Sequence, residues 1–268
     1  MNNLFVIDAF ASEPFAGNQA AVLLLDSFPE DAWMLSFAAE MRHSETAYLV
    51  RKSKSEYDLR WFTPAVEVDL CGHATLASAH VLFNEGFEPE AQQLSFHTRS
   101  GILIARREGD DVALDFPASP PIPLEEDPDP DTAAAFGFCR AYAGASTSDF
   151  LLLIAPDDET VRALKPDFNL VRKYPQHAVI VAAKSDDPEF DFISRMFAPR
   201  LGIDEDPVTG SAHCVLTPWF AERLGKTELR AFQASSRGGH LLVRAKGERV
   251  EIVGSSRTNL AGELRLTP

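Results

Sequence analysis

The stretch over residues 72–112 returns 138 positions later, and this repeat limits the folds open to the chain more than any other feature. Gly72 meets Gly210, Arg99 meets Arg237, Gly101 meets Gly239, Gly109 meets Gly247 and Val112 meets Val250, all at the one offset. Upstream the offset shortens to 135, where Phe62 meets Phe197 and Pro64 meets Pro199, as happens when two copies of one unit diverge by insertions in loops. Two copies are fewer than a solenoid needs, so the pattern predicts a pseudo-symmetric pair of domains. Residues 117–131, dense in proline and acid, are the sharpest change of composition and read as the linker between them.

Each copy carries a small-residue entry into a helix. Cys71-Gly72-His73-Ala74-Thr75 follows a strand-like run and opens an alanine-rich apolar segment, predicting a helix from 72 to about 84; Asp206-Pro207-Val208-Thr209-Gly210-Ser211-Ala212 opens a second that runs to about 224. Around them, apolar runs bounded by turn residues predict strands over 4–10, 20–25, 44–50, 57–62, 66–70, 94–96, 101–106 and 112–116 in the first copy. The second copy offers 150–154, 178–182, 190–197, 229–232, 240–244 and 250–253. Phe28-Pro29-Glu30-Asp31 reads as the entry of a further helix that runs to Arg42, its aromatics supplying core.

A helix start presents unpaired N–H groups and the positive end of the helix dipole, a ready seat for an anion. Were both starts to face one cleft, Gly72 and Gly210 would hold a carboxylate and stabilise the enolate-like charge left when a proton leaves the adjacent carbon. The side chains nearest the starts are then Cys71, His73, Asp206 and Ser211. Helix-start placement favours a neutral imidazole at His73. Each residue has a structural alternative: Asp206 before Pro207 suits an N-cap, Ser211 suits close packing, and Cys71 and Cys214 suit small buried hydrophobes. The histidines and cysteines show no metal-ligand spacing, and no P-loop, dinucleotide fingerprint or nucleophile elbow is present.

With 268 residues, 45% apolar and 24% charged, the chain has the composition of a globular protein able to bury a real core. A net charge of −15 without a basic stripe argues against nucleic acid and anionic membrane as partners. Three cysteines, Cys71, Cys139 and Cys214, point to a reducing compartment. With no basic n-region before Asp8 and no apolar stretch of membrane-spanning length, the expected location is the cytoplasm.

Four motifs in series, Val6-Ile7-Asp8-Ala9-Phe10 with Phe15-Ala16-Gly17-Asn18, then Ser44-Glu45-Thr46, then Gly72-His73-Ala74-Thr75, then Asp206-Pro207-Val208-Thr209-Gly210-Ser211-Ala212, resemble the phenazine biosynthesis PhzF-like family over nearly the whole chain. The resemblance implies an α/β (α+β) fold similar to diaminopimelate epimerase: two pseudo-symmetric halves, each a curved mixed sheet wrapped around a central helix. It puts residues 1–118 with a C-terminal strand at about 258–268 in the first half and 119–257 in the second, with the active-site cleft between them. It also implies cofactor-independent isomerisation of a small carboxylate-bearing metabolite, without metal, by a chain that pairs as a homodimer.

Carried over by motif, Glu45 shuttles the proton, His73, Asp206 and Ser211 assist it, and Asn18, Gly72, Gly210 and Cys71 line the substrate site. Residue types alone leave Glu45 an ordinary exposed carboxylate. Two alternatives stand beside the isomerase: an amino-acid epimerase or racemase that uses Cys71, and a non-catalytic small-molecule-binding protein with the same cleft. Related epimerases place a thiol before each glycine, whereas here Cys71 precedes Gly72 and Thr209 precedes Gly210.

Overall fold

The computed structural model describes residues 3–123, 134–137, 142–145 and 150–265. Residues 124–131 of the expected linker and Cys139 lie outside the described residues, as do residues 266–268 at the end of the expected C-terminal strand. The chain divides into two compact units, Met1–Phe116 with Ile252–Pro268, and Pro117–Glu251.

The first unit opens with β1 (Asn3–Ala9), β2 (Asn18–Leu25), α1 (Asp31–Met41), β3 (Glu45–Ser53), β4 (Glu56–Phe62) and β5 (Glu67–Val68). It continues with α2 (Gly72–Asn84), β6 (Gln93–Thr98), β7 (Gly101–Glu108) and β8 (Asp111–Pro117). The second contains β9 (Ile122–Pro123), β10 (Tyr142–Ala145), β11 (Phe150–Ile154), α3 (Asp158–Ala163), α4 (Phe168–Val171), β12 (Ala178–Lys184), β13 (Phe192–Ala198) and β14 (Ile203–Asp206). There follow α5 (Gly210–Leu224), β15 (Glu228–Gln233), β16 (Gly239–Lys246) and β17 (Arg249–Gly254), which passes at Ile252 into the first unit, to which β18 (Ser256–Glu263) belongs.

Strand pairing makes the internal repeat explicit. In the first unit β1 is antiparallel to β18 and β2, β2 is parallel to β3, β3 is antiparallel to β4, and β4 is parallel to β6, which is antiparallel to β7. The same order and senses run through β9, β10, β11, β12, β13, β15 and β16. The short strands β5 and β14 sit at matching places on β4 and β13. Each unit is thus a mixed α/β sheet built around one long helix, as expected.

The central helices explain the sheets. Eleven of the 13 residues of α2 are buried, so this helix has no solvent face and serves as core on every side. It packs against β1, β2, β3, β7 and β18, strands from both ends of the order, which the sheet can supply only by curling around it. Its alanines let the strands approach closely, and its buried hydroxyls are satisfied within the helix: Thr75 donates to the Cys71 carbonyl and Ser78 to that of Ala74 at 2.7 Å. In the second unit α5 packs on β15 and β16 and buries nine of its 15 residues. Pro218 interrupts its hydrogen-bond ladder, and the Cys214 carbonyl, which Pro218 cannot serve, accepts the Ser119 N–H at 3.0 Å. Phe192 stacks on Phe220 at 4.5 Å, and Cys214 lies in this core with burial pushing its thiol up to about 12.

Three sequence expectations change. The run at 66–70 pairs only at Glu67–Val68, and the strand expected from 190 begins at Phe192. Asp206 is not the N-cap of α5: it ends β14, and Thr209 holds the capping position. No helix among the described residues is long and apolar enough to cross a membrane.

The loop before Asn18 is held in an unusual conformation, with Phe10 and Phe15 at positive φ (59° and 69°) and Gly17 at 70°. A Cβ on Gly17 would stand 2.2 Å from the Ala9 carbonyl oxygen, a backbone atom that cannot swing away. Gly17→Ala is therefore expected to lower stability by at least about 1–3 kcal/mol in urea unfolding.

A pH dependence follows from His213. Its ring is fully buried, which pulls its pKa down to about 4 although the Nδ1–H donates to the Thr209 carbonyl at 2.8 Å. The unfolded chain, with an ordinary imidazole near 6.5, binds this proton more readily than the folded one. Stability is therefore full above about 6.5 and declines as the pH falls toward about 4, by about 3 kcal/mol in all. His213→Gln is expected to flatten that decline, measured as the difference in unfolding free energy between pH 7 and pH 4.5.

Candidate active site

Parallel pairing of β2 with β3 sets Ala20 opposite Glu45, so Glu45 emerges at the start of β3 beside the loop that delivers Asn18. The buried start of α2 supplies the remaining groups. Cys71 occupies the N-cap position in an extended conformation (φ −144°), its side chain makes no capping bond, and Gly72, His73 and Ala74 are buried behind it. His73 Nε2 lies 3.1 Å from Glu45 Oε2, with the two side chains 5% and 13% exposed. The contact is at ion-pair distance but off hydrogen-bond alignment, and neither atom has a hydrogen-bond partner among the described residues. On the other side of the ring, His73 Nδ1 is 3.2 Å from Asn18 Nδ2 and 3.6 Å from Cys71 Sγ. Ser44 Oγ–H donates to Asn18 Oδ1 at 3.1 Å.

These neighbours decide the charge of His73. Burial works against an imidazolium, but Cys71 and Glu45 outweigh it and hold the ring well above its ordinary value. Burial and the Glu45 charge also push the Cys71 thiol up, so at neutral pH it stays a thiol and Glu45 is the neighbour that retains the proton on His73. This direction runs against the neutral imidazole expected from the helix start. A unit charge about 4 Å away is worth on the order of 4 kcal/mol at an effective dielectric of 20, against roughly 1 kcal/mol from a helix end. The arrangement suits proton transfer: a carboxylate and an imidazolium side by side, each with an unfilled hydrogen-bond direction, next to a helix start without a side-chain cap.

The second unit places its candidates around another uncapped helix start. Asp206 is buried, and its Oδ2 accepts the Thr209 hydroxyl. Gln233, fully buried on β15, ties the turn together: its Oε1 accepts the Thr209 N–H at 2.9 Å and its Nε2 donates to the Asp206 carbonyl at 2.8 Å. Next to Asp206, Glu205 is gripped by Arg195 through two bonds of 2.7 and 2.9 Å. Gly210 is the first residue of α5 and Ser211, half-buried, the second.

The structure thus gathers Asn18, Glu45, Cys71, Gly72 and His73 in the first unit, and Asp206, Gly210 and Ser211 in the second. Sequence reasoning missed Ser44, Thr209 and Gln233. Ser44 and Thr209 stand inside motifs already singled out, whereas Gln233 sits in an unremarkable strand and leaves no sequence signal.

Comparison with known proteins identifies the family and the fold. The family model for phenazine biosynthesis-like proteins (PhzC-PhzF) matches residues 7–263. A protein of Halalkalibacterium halodurans named as an uncharacterized isomerase is 43% identical over 263 residues, covering 98% of each chain. A crystal structure of a PhzF-family phenazine biosynthesis protein from Enterococcus faecalis superposes with a TM-score of 0.92 at 41% identity, covering 99% of each chain. A probable proline racemase from Agrobacterium radiobacter shares the fold alone, with a TM-score of 0.66 at 11% identity over 100% of this chain and 94% of that one. Similarity along the full length, in sequence and in fold, means that the chain belongs to the phenazine biosynthesis-like protein family and, with its relatives, is an isomerase.

Proposed function

We propose that the chain moves a proton between two carbons of a small carboxylate-bearing metabolite, with no cofactor and with Glu45 as the shuttle. The observation that supports this most is the buried Glu45–His73 pair, 3.1 Å apart and without other hydrogen-bond partners, at the uncapped start of α2. Substrate carboxylate oxygens accept the N–H groups of that helix start. Glu45 takes the proton as the C–H bond breaks, the electron pair moves toward the carboxylate as an enolate, and the N–H groups with the His73 imidazolium stabilise the oxygen that gains charge. Glu45 then delivers the proton to the far carbon of a C=C bond adjacent to the first carbon; that π bond is consumed as a new C=C forms one position nearer the carboxylate, which is restored, leaving a net 1:1 isomerisation. Apo contacts of catalytic groups are often poorly aligned and tighten on substrate, in keeping with the off-line Glu45–His73 contact.

In the second unit Asp206, Gly210 and Ser211 are proposed to orient substrate. A one-thiol epimerase is the reading next in line, favoured by the 3.6 Å approach of Cys71 Sγ to His73 Nδ1. The raised thiol weighs against it, and Thr209 where a second cysteine would stand weighs against a two-thiol racemase.

The test is deuterium incorporation from heavy water into a panel of small carboxylates. Glu45→Gln is expected to slow exchange by about 10²–10⁴-fold while the thermal midpoint stays close to wild type; an unaltered rate would remove Glu45 from the mechanism. Asp206→Asn and Ser211→Ala are expected to raise KM roughly tenfold or more, the loss of one charge-assisted hydrogen bond. Full activity in Cys71→Ser would exclude the thiol reading.

A further inference from the structure

We propose that Glu45, Cys71 and His73 form a binding site for a thiophilic divalent cation of the Zn²⁺ class, and that a bound cation excludes the proton-shuttling state. One ligand atom from each of the three residues lies within 4.8 Å of the other two. Cys71 and His73 stand two apart in sequence, but Glu45 comes from β3, so linear spacing carried no trace of the set. Thiolate, imidazole and carboxylate are the donor types that zinc selects, and three protein ligands leave a fourth position open. The 3.1 Å between His73 Nε2 and Glu45 Oε2 is close to the roughly 3.3 Å that tetrahedral geometry sets for N and O ligands about 2.0 Å from zinc.

An independent observation points to the same two atoms. Glu45 Oε2 and His73 Nε2 are buried and, apart from their ion pair with each other, have no hydrogen-bond partner among the described residues, so a cation has to displace only the Nε2 proton between them. Outer support is also in place. A ring that ligates through Nε2 must keep its Nδ1 proton and donate it, and the Asn18 amide is 3.2 Å from Nδ1. By turning its amide, Asn18 presents Oδ1 to that proton, and the Ser44 hydroxyl, able to donate or accept, stays satisfied. Binding breaks the Cys71 S–H bond and removes the Nε2 proton, both passing to solvent as S–metal and N–metal bonds form, with no change of oxidation state. Thiolate and carboxylate together neutralise the cation and outweigh the half charge of the α2 start.

Occupancy rests on this cluster alone; exclusion of the shuttle rests on the proposed isomerase reading, so binding is measured without turnover. The full chain is titrated with Co²⁺, read by thiolate-to-cobalt charge-transfer absorption, and with Zn²⁺ by calorimetry. One ion per chain with that absorption is expected. The absorption should vanish in Cys71→Ser and Cys71→Ala, either of which suffices if the other misfolds, and persist with weaker binding in Glu45→Gln. Asn18→Leu should bind about 10–100-fold more weakly. No binding, or absorption that persists without Cys71, overturns the site. Zn²⁺ is then expected to stop deuterium exchange reversibly with chelator; exchange undiminished at saturating Zn²⁺ overturns the exclusion.

Discussion

The burial of α2 on every side is the constraint on which the first unit depends. A helix with no solvent face cannot leave its backbone or hydroxyl groups to water, so its strands must curl around it and its polar side chains must be satisfied from within. At its start, polar groups remain within the buried part of the helix, because Cys71 does not cap it. A buried, uncapped helix start is costly unless something is meant to bind there, and Glu45, His73 and Asn18 converge on that end.

The two units share a frame and differ in what they hang on it. At the first position of the third strand stands Glu45 in one and Ala178 in the other. At the second position of the central helix stand His73 and Ser211, and at its N-cap Cys71 and Thr209. The carboxylate–imidazole pair therefore exists once. In its place the second unit builds a rigid turn in which Gln233 braces Asp206 and Thr209. Duplication supplied two helix starts, and differences at three equivalent positions set the carboxylate–imidazole pair at one of them.

Much of the frame was legible in the residues. The helix expected from 72 to about 84 starts at Gly72 as read, because a glycine after an extended run and before a dense apolar segment leaves little choice of boundary. The second helix ends at Leu224 as expected, Pro218 being tolerated where Ser119 takes the freed carbonyl. Elements too short to show a period, such as β9, β14, α3 and α4, were not legible. Asp206 was open to misreading because Asp-Pro fits an N-cap locally, while the true boundary depends on Gln233, 27 residues away.

By itself the sequence determined the repeat, the two helix starts and, through its motifs, which carboxylate to suspect. Only the tertiary structure decided what those residues are chemically. Glu45 and His73 are distant in the chain, and their 3.1 Å approach is set by the register of β2 against β3 and by the burial of α2. That approach raises the pKa of His73, against the local helix dipole, and draws Cys71 into the same cluster. Helix starts are encoded by neighbours in sequence and can be read there. Protonation is governed by charges a few ångströms away in space, which sequence order does not record.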